Sequence, residues 1–332
     1  MSHYHHLSIE EREKLHECRI LKKSISETAR ILGRSKSSIS RELKRNGYRP
    51  GEPWYSPRKA TIGYNTRRKA SRRAKLLSQP ENKELVLRLF LERQWSPEQI
   101  SNRLKYEGGL SVSYGTIYRA LHCGLMEPPG TYPNRWGNYP LERKLRHKNH
   151  SRGKTENRGK LKIPNHIDER PVSAANRSRL GHFEADTLLG KRASDFMVVL
   201  VDRKARYLLI RKCRAFTSDA VADALIGMLT PYANQLRSIT PDRGREFKKH
   251  TLISGALGTK LYYPDPASPW ARPTVENTNG LLREYFPKGT SMEHLSPQDV
   301  ALVQVKLNLR PRKCLNWKTP YEVFFKKSLH LI

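Results

Sequence analysis

Gly181-His-Phe-Glu-Ala-Asp-Thr-Leu-Leu189 is the stretch on which the reading of this chain turns. It reads as a β-strand, and the two-residue period of a strand puts Glu184 and Asp186 on one face. β-like apolar runs follow at 196–201 and 207–211, then an amphipathic helix at 219–236. Short strands are expected at 238–240 and 261–263, and a helix at 274–286.

Three strands, a helix, a strand, a helix or loop, a strand and a helix make the order of a ribonuclease-H-like α/β domain, assigned here to 176–332. That order sets Asp186 on the first strand and Asp242, in Thr-Pro-Asp-Arg-Gly-Arg-Glu-Phe, just after the fourth. Glu276, in Val-Glu-Asn-Thr-Asn-Gly-Leu-Leu-Arg, falls on a later helix. Three carboxylates so placed can gather two Mg²⁺ ions at a phosphodiester, with Mn²⁺ able to substitute, because a hard cation takes oxygen ligands. Asp186 would bridge both ions, with Asp242 and Glu276 each holding one. Glu184 is the main decoy: a supporting acid or an accessory ligand. Asp202 and Asp265 sit in turn-like contexts and read as structural. Gly244 would permit a tight turn beside Asp242. Arg283, seven positions after Glu276, would share its helix face and reach a substrate phosphate. Asn279, three positions after Glu276, is favoured over Asn277 for orienting water or nucleotide.

The 332 residues predict more than one domain. Lysine and arginine number 63 against 31 acids, a net charge of +32, which would be self-repulsive without a polyanion. DNA or RNA is therefore the expected partner. The four cysteines are scattered singly, so neither a zinc ribbon nor a disulfide framework is indicated. No apolar run is long enough to span a bilayer and the start is no signal peptide, so a cytoplasmic protein with no membrane association is expected.

Residues 1–46 read as an all-α helix-turn-helix domain. Ser8 and Glu11 make a capping-box pattern. In the later helices, small Ala29 permits close approach, Gly33 supplies the turn, and Ile39 and Leu43 anchor the second helix. Its exposed face would carry Arg34, Lys36, Ser37, Ser38 and Arg41 towards double-stranded DNA. Residues 47–78, with no clear apolar period, read as a basic linker following the DNA backbone. Residues 79–127 read as a second helical, helix-turn-helix-like domain with Ser96 as N-cap and Pro97 in the first turn. Tyr114, Thr116 and Arg119 would be its DNA-facing residues. Residues 128–175 read as a basic interdomain arm that orders on DNA.

Several blocks carry a resemblance to a known family. They are Gly181-His-Phe-Glu-Ala-Asp186, Asp242-Arg-Gly-Arg-Glu-Phe247 and Tyr263-Pro-Asp-Pro-Ala-Ser-Pro-Trp270. The longest is Glu276-Asn-Thr-Asn-Gly-Leu-Leu-Arg-Glu-Tyr-Phe-Pro-Lys-Gly289, with Leu309-Arg-Pro-Arg-Lys313 and Thr319-Pro-Tyr-Glu-Val-Phe324 after it. The chain resembles, over nearly its whole length, the insertion sequence 30 family of bacterial transposases, in the DDE integrase superfamily. Ala185 stands where a glycine is common in that family. The resemblance implies Mg²⁺-dependent DNA strand cleavage and strand transfer, catalytic roles for Asp186, Asp242 and Glu276, recognition of terminal inverted repeats, and action as an oligomer. The rival reading is a sequence-specific DNA-binding regulator without catalytic activity.

Overall fold

The computed structural model describes residues 5–46, 55–71, 74–145, 165–191, 195–265 and 268–332. They form two units, Met1–Lys75 and Leu76–Ile332.

The first unit holds α1 (Ile9–Ile20), α2 (Ile25–Ile31), α3 (Lys36–Arg45) and α4 (Pro57–Ala70). Serines start all four. Ser8, Ser24, Ser35 and Ser56 each accept from a backbone N–H of the following turn, and Ser8 with Glu11 closes the expected capping box. Gly33 takes φ +61° between α2 and α3, a conformation costly for a residue with a Cβ. Leu15, Ala29, Ile39 and Leu43 make the core together with Tyr55 and Ala60.

The last two residues correct the expectation of a linker over 47–78. Residues 57–70 are helical and α4 packs on α1, with Arg12 Nη1 donating to Thr61 Oγ1 at 3.3 Å. Arg12 also pairs with buried Glu42 at 2.8 Å, and the Tyr55 hydroxyl donates to the same carboxylate at 2.9 Å. The linker reading failed because α4 buries only one side chain, Ala60, too small to mark an apolar period. Residues 47–54 lie outside the described residues.

In the second unit, α5 (Pro80–Leu91), α6 (Pro97–Tyr106) and α7 (Tyr114–His122) close over Val86, Leu89, Trp95, Ile100, Leu104, Ile117 and Leu121. Ser96 and Gln99 form a capping box at α6, with Pro97 in the first turn as the sequence indicated. The basic stretch 146–164 lies outside the described residues. Residues 165–175, expected in the arm, belong to the α/β layers instead. His166 bridges Tyr263, and the short helix α8 (Val172–Ala175) buries Ala174.

The α/β part contains β1 (His182–Leu189), β2 (Asp195–Asp202), β3 (Leu208–Arg214), α9 (Ser218–Leu229) and β4 (Ser238–Thr240). Then come α10 (His250–Leu257), β5 (Lys260–Leu261), α11 (Pro273–Leu282), α12 (Pro297–Asn308) and α13 (Pro320–Phe325). The sheet order is β3-β2-β1-β4-β5, antiparallel across the first three strands and parallel from β1 to β4 to β5. This is the ribonuclease-H-like arrangement read from the order of elements. The helix expected over 219–236 gives way at Thr230 to a 3-10 turn, where Pro231 cannot continue the α-helical ladder.

Strand alternation sorts the sheet into two faces. Phe183, Ala185, Phe196, Val198, Leu200 and Ile239 face a core shared with α9, α10 and α13. Leu188, Met197, Val199, Val201 and Ile210 face α11 and α12. Edge strand β3 is covered by α12. Leu208 N donates to Asn308 Oδ1 and Ile210 N to Gln304 Oε1, both at 2.8 Å, so these backbone donors are not left to pair with another chain.

The helical segment and the α/β layers of this unit meet at Arg103 on α6. Its guanidinium is fully buried and donates to both oxygens of Glu322 on α13, at 2.7 and 2.9 Å. It also donates to Glu107 and to the carbonyls of Trp317 and Leu329. Leu331 and Ile332 then pack against the α5–α7 core.

Candidate active site

Glu184 and Asp186 occupy the β1 face that α11 covers, among side chains otherwise apolar. β4 pairs with β1 in parallel, with Glu184 opposite Thr240. The pairing ends there, and Asp242 follows two residues beyond the end of β4. Asp242 is buried, and its Oδ1 accepts from Gly244 N at 2.9 Å. Burial, and then the Asp242 charge, push the Tyr263 phenol upward.

α11 supplies the third acid. Asn279 Nδ2 donates to Asp186 Oδ2 at 2.9 Å, tying α11 to β1 one turn beyond Glu276. The Glu276 carboxyl is raised from its usual range by desolvation, opposed by Arg272 and reinforced by the Glu184 charge. Arg272 stands between the acids: Nη1 lies 3.8 Å from Asp186 Oδ1 and donates to the Ala185 carbonyl at 3.0 Å. The structure thus places Asp186 on β1, Asp242 just after β4 and Glu276, which is exposed, on α11.

They are not closed into a ligand cage. Among the described residues no three His, Cys, Asp or Glu side chains are grouped to hold a metal. The donor chemistry still suits a hard cation. Carboxylates line the site, and Asn279 Oδ1 is a buried oxygen with no hydrogen-bond partner beside Asp186. Arg272 Nε is likewise buried without a partner, a sign that its position here leaves the site incompletely satisfied.

Several neighbouring residues do something other than the sequence suggested. Gly244 has φ −66°, so no special backbone conformation is needed. A Cβ there would lie 2.2 Å from Glu246 Oε2, and the glycine instead makes room for that carboxylate. Glu246 was not singled out from the sequence, yet it is buried and accepts from Thr187 Oγ1 at 3.3 Å, next to Asp186. Its position four residues after Asp242 was the available signal. Arg283 is the C-cap of α11, which ends at Leu282 rather than near 286, and its backbone keeps helical angles, but its guanidinium is engaged within the chain. Its Nη1 donates to the carbonyls of Leu189 and Phe286, at 3.1 and 3.3 Å, locking the helix end to β1. Burial lowers its pKa, with the Asp186 charge acting in the opposite sense. Asp202 is structural as expected: it accepts from the backbone of Gly181, Lys204 and Ala205. Asp265 accepts from Arg243 and contacts His166.

On the first unit, Lys36, Ser37 and Arg41 are exposed along α3, and Ser38 is half-buried. Arg41 Nε rests on the Ser37 carbonyl at 3.1 Å. Arg34 differs from the expectation of an open reading residue. Its guanidinium grips Glu11 at 2.8 and 3.1 Å and the His5 carbonyl at 3.0 Å, clamping the start of α1 to the turn before α3. That hydrogen bond is the chief cause holding the Glu11 carboxyl below its usual range. In the second unit, Tyr114 and Arg119 are exposed on α7 and Thr116 is half-buried, with Ser113 as N-cap.

Comparison with known proteins gives a helix-turn-helix domain match over residues 3–46. Transposase InsI for insertion sequence element IS30C, from Escherichia coli strain K12, is 38% identical over 328 residues, covering 96% of this chain and 83% of that protein. The transposase for insertion sequence element IS1086, from Cupriavidus metallidurans, is 35% identical over 325 residues, covering 96% and 94%. Among solved structures, the catalytic core domain of BIV integrase aligns with 44% of this chain and 94% of its own, at a TM-score of 0.35 and 19% identity.

Proposed function

The chain belongs to the insertion sequence 30 family of transposases, and from that premise we propose that Asp186, Asp242 and Glu276 are its catalytic acids and bind two Mg²⁺ ions. The Asn279–Asp186 hydrogen bond carries the reading, because it ties α11, which bears Glu276, to β1 at Asp186. Divalent cations bound there would activate the attacking oxygen and offset charge on the leaving oxygen.

The chain's own residues do the rest. Asp186 presents its oxygens from the middle of β1 and Asp242 from just after β4, held by Thr187 N and Gly244 N. Asn279 Nδ2 fixes the Asp186 rotamer, and its Oδ1 is placed to accept from a water. Arg272 neutralises Asp186 and must withdraw from it as the site fills. Water then attacks the phosphodiester at the element end and the P–O3′ bond breaks. The free 3′-hydroxyl in turn attacks a target phosphodiester by in-line displacement.

Lys36, Ser37, Ser38 and Arg41 on α3 face the terminal inverted repeats, with Tyr114, Thr116 and Arg119 on α7 making further DNA contacts. The protein acts on DNA as a homo-oligomer. Among the described residues no helix is long and apolar enough to cross a membrane.

The test is a duplex carrying the element end, incubated with the full chain with and without Mg²⁺. The expected products are a nick exposing a 3′-hydroxyl and, with target duplex present, a joined strand. Tight end binding with no cleavage under either condition would instead favour the regulator reading.

A further inference from the structure

Glu184 has no exposed surface, yet it carries a carboxylate two residues before Asp186. A charge in that position is costly unless every lone pair is met. Its Oε2 accepts from the backbone N–H of both Thr274 and Val275 at 2.8 Å. These are donors of the first turn of α11, which no residue of that helix satisfies. No N-cap side chain serves α11, whose N-cap residue is Arg272. Its Oε1 is held by Arg203, also buried, whose Nε donates to the Ala174 carbonyl at 2.8 Å. Arg206 Nη1 donates to the Thr274 hydroxyl at 2.6 Å, securing the same turn from a second side.

The consequence is geometric. One carboxylate on β1 is bolted to α11 immediately before Glu276, and the next residue on that β1 face is Asp186. The bolt thus lies two residues from Asp186 along the strand and one or two from Glu276 along the helix. The negative charge also meets the positive end of the helix dipole, so the contact favours one seating of α11 over sliding.

We propose that Glu184 is a positioning residue: with Arg203 it caps α11 and sets the separation between Asp186 and Glu276, and so the affinity of the site for divalent cations. This rests on the assignment of those two acids in the preceding section. It assigns Glu184 no contact with metal or DNA. Groups that orient metal ligands commonly change metal affinity or activity about 10–100-fold when altered.

The test compares the full chain with Glu184→Gln. The glutamine can still accept from α11, but its amide lacks the charge that matches Arg203 and the helix end. Mn²⁺ binding is followed by electron paramagnetic resonance, alongside the Mg²⁺ dependence of cleavage, end-DNA affinity and thermal unfolding. The expected result is weaker Mn²⁺ binding and a half-saturating Mg²⁺ concentration raised about 10–100-fold, with DNA affinity unchanged. Parental metal binding and Mg²⁺ dependence in a folded Glu184→Gln protein would overturn the proposal. If that variant does not fold, Arg206→Met takes its place. It loosens only the Thr274 side of the cap and must shift the Mg²⁺ requirement in the same direction; an unshifted requirement counts against the proposal equally. A parent chain that neither binds Mn²⁺ nor cleaves would instead remove the catalytic assignment beneath it, which separates the two failures.

Discussion

Asp242→Asn will bind element-end DNA as the parent does and cleave it about three to four orders of magnitude more slowly with Mg²⁺. The substitution keeps size and shape, and the amide carbonyl it introduces can still accept from Gly244 N as the Asp242 Oδ1 does now. The turn after β4 therefore stays in place. What disappears is a negative charge at a buried position just after β4. Losing several kcal/mol of cation affinity and transition-state charge stabilisation translates to that loss of rate. End binding is assigned to α3 and α7, on other elements, and has no reason to change. The measurement is single-turnover cleavage of a labelled end duplex, with a parallel gel-shift titration. Parental cleavage by the variant would remove Asp242 from the site.

Glu322→Ala will destabilise the Leu76–Ile332 unit by about 3–5 kcal/mol, the usual cost of leaving a buried charge without its partner. Arg103 has no exposure, and Glu322 supplies both oxygens of a forked pair. Burial alone would raise the Glu322 carboxyl. Arg103 and the N–H groups of Thr319 and Leu329 outweigh it and bring the pKa down to about 2 from an ordinary 4.5. A carboxyl with a depressed folded-state pKa contributes stability that is fully present above its unfolded value. That contribution is lost as pH falls from about 4.5 towards about 2. Urea unfolding followed by tryptophan fluorescence, with buried Trp95 in this unit as reporter, reads both effects. Arg103→Met with Glu322→Leu should recover much of the loss, since an apolar pair leaves no stranded charge. A single variant as stable as the parent would show that the pair does not hold the unit together.

How much was legible in the sequence depended on how local each signal was. The strand period around Asp186, the capping boxes at Ser8 and Ser96, and the Ala29–Gly33–Ile39–Leu43 spacing act within a few residues, and each appears in the fold. The order of strands and helices located Asp186 on the first strand, Asp242 just after the fourth and Glu276 on a later helix. The helix α4 was hidden because a single alanine carries its burial. The Arg103–Glu322 pair was hidden because 219 positions separate its members. Glu184 was visible as an acid on the right face, but its partners are backbone amides of a distant helix, which no side-chain pattern records. Arg283 and Arg34 read as phosphate contacts because they are cationic. Each in fact satisfies groups of its own chain, a carboxylate for Arg34 and carbonyls for both.

The most direct test of the account is anomalous diffraction from crystals of the full chain bound to an element end in Mn²⁺. Two peaks about 3.5–4 Å apart are predicted, one touching Asp186 and Asp242, the other Asp186 and Glu276, with Arg272 withdrawn. Ordered Mn²⁺ held elsewhere, with Asp186 still paired to Arg272 and Glu276 turned to solvent, would contradict it.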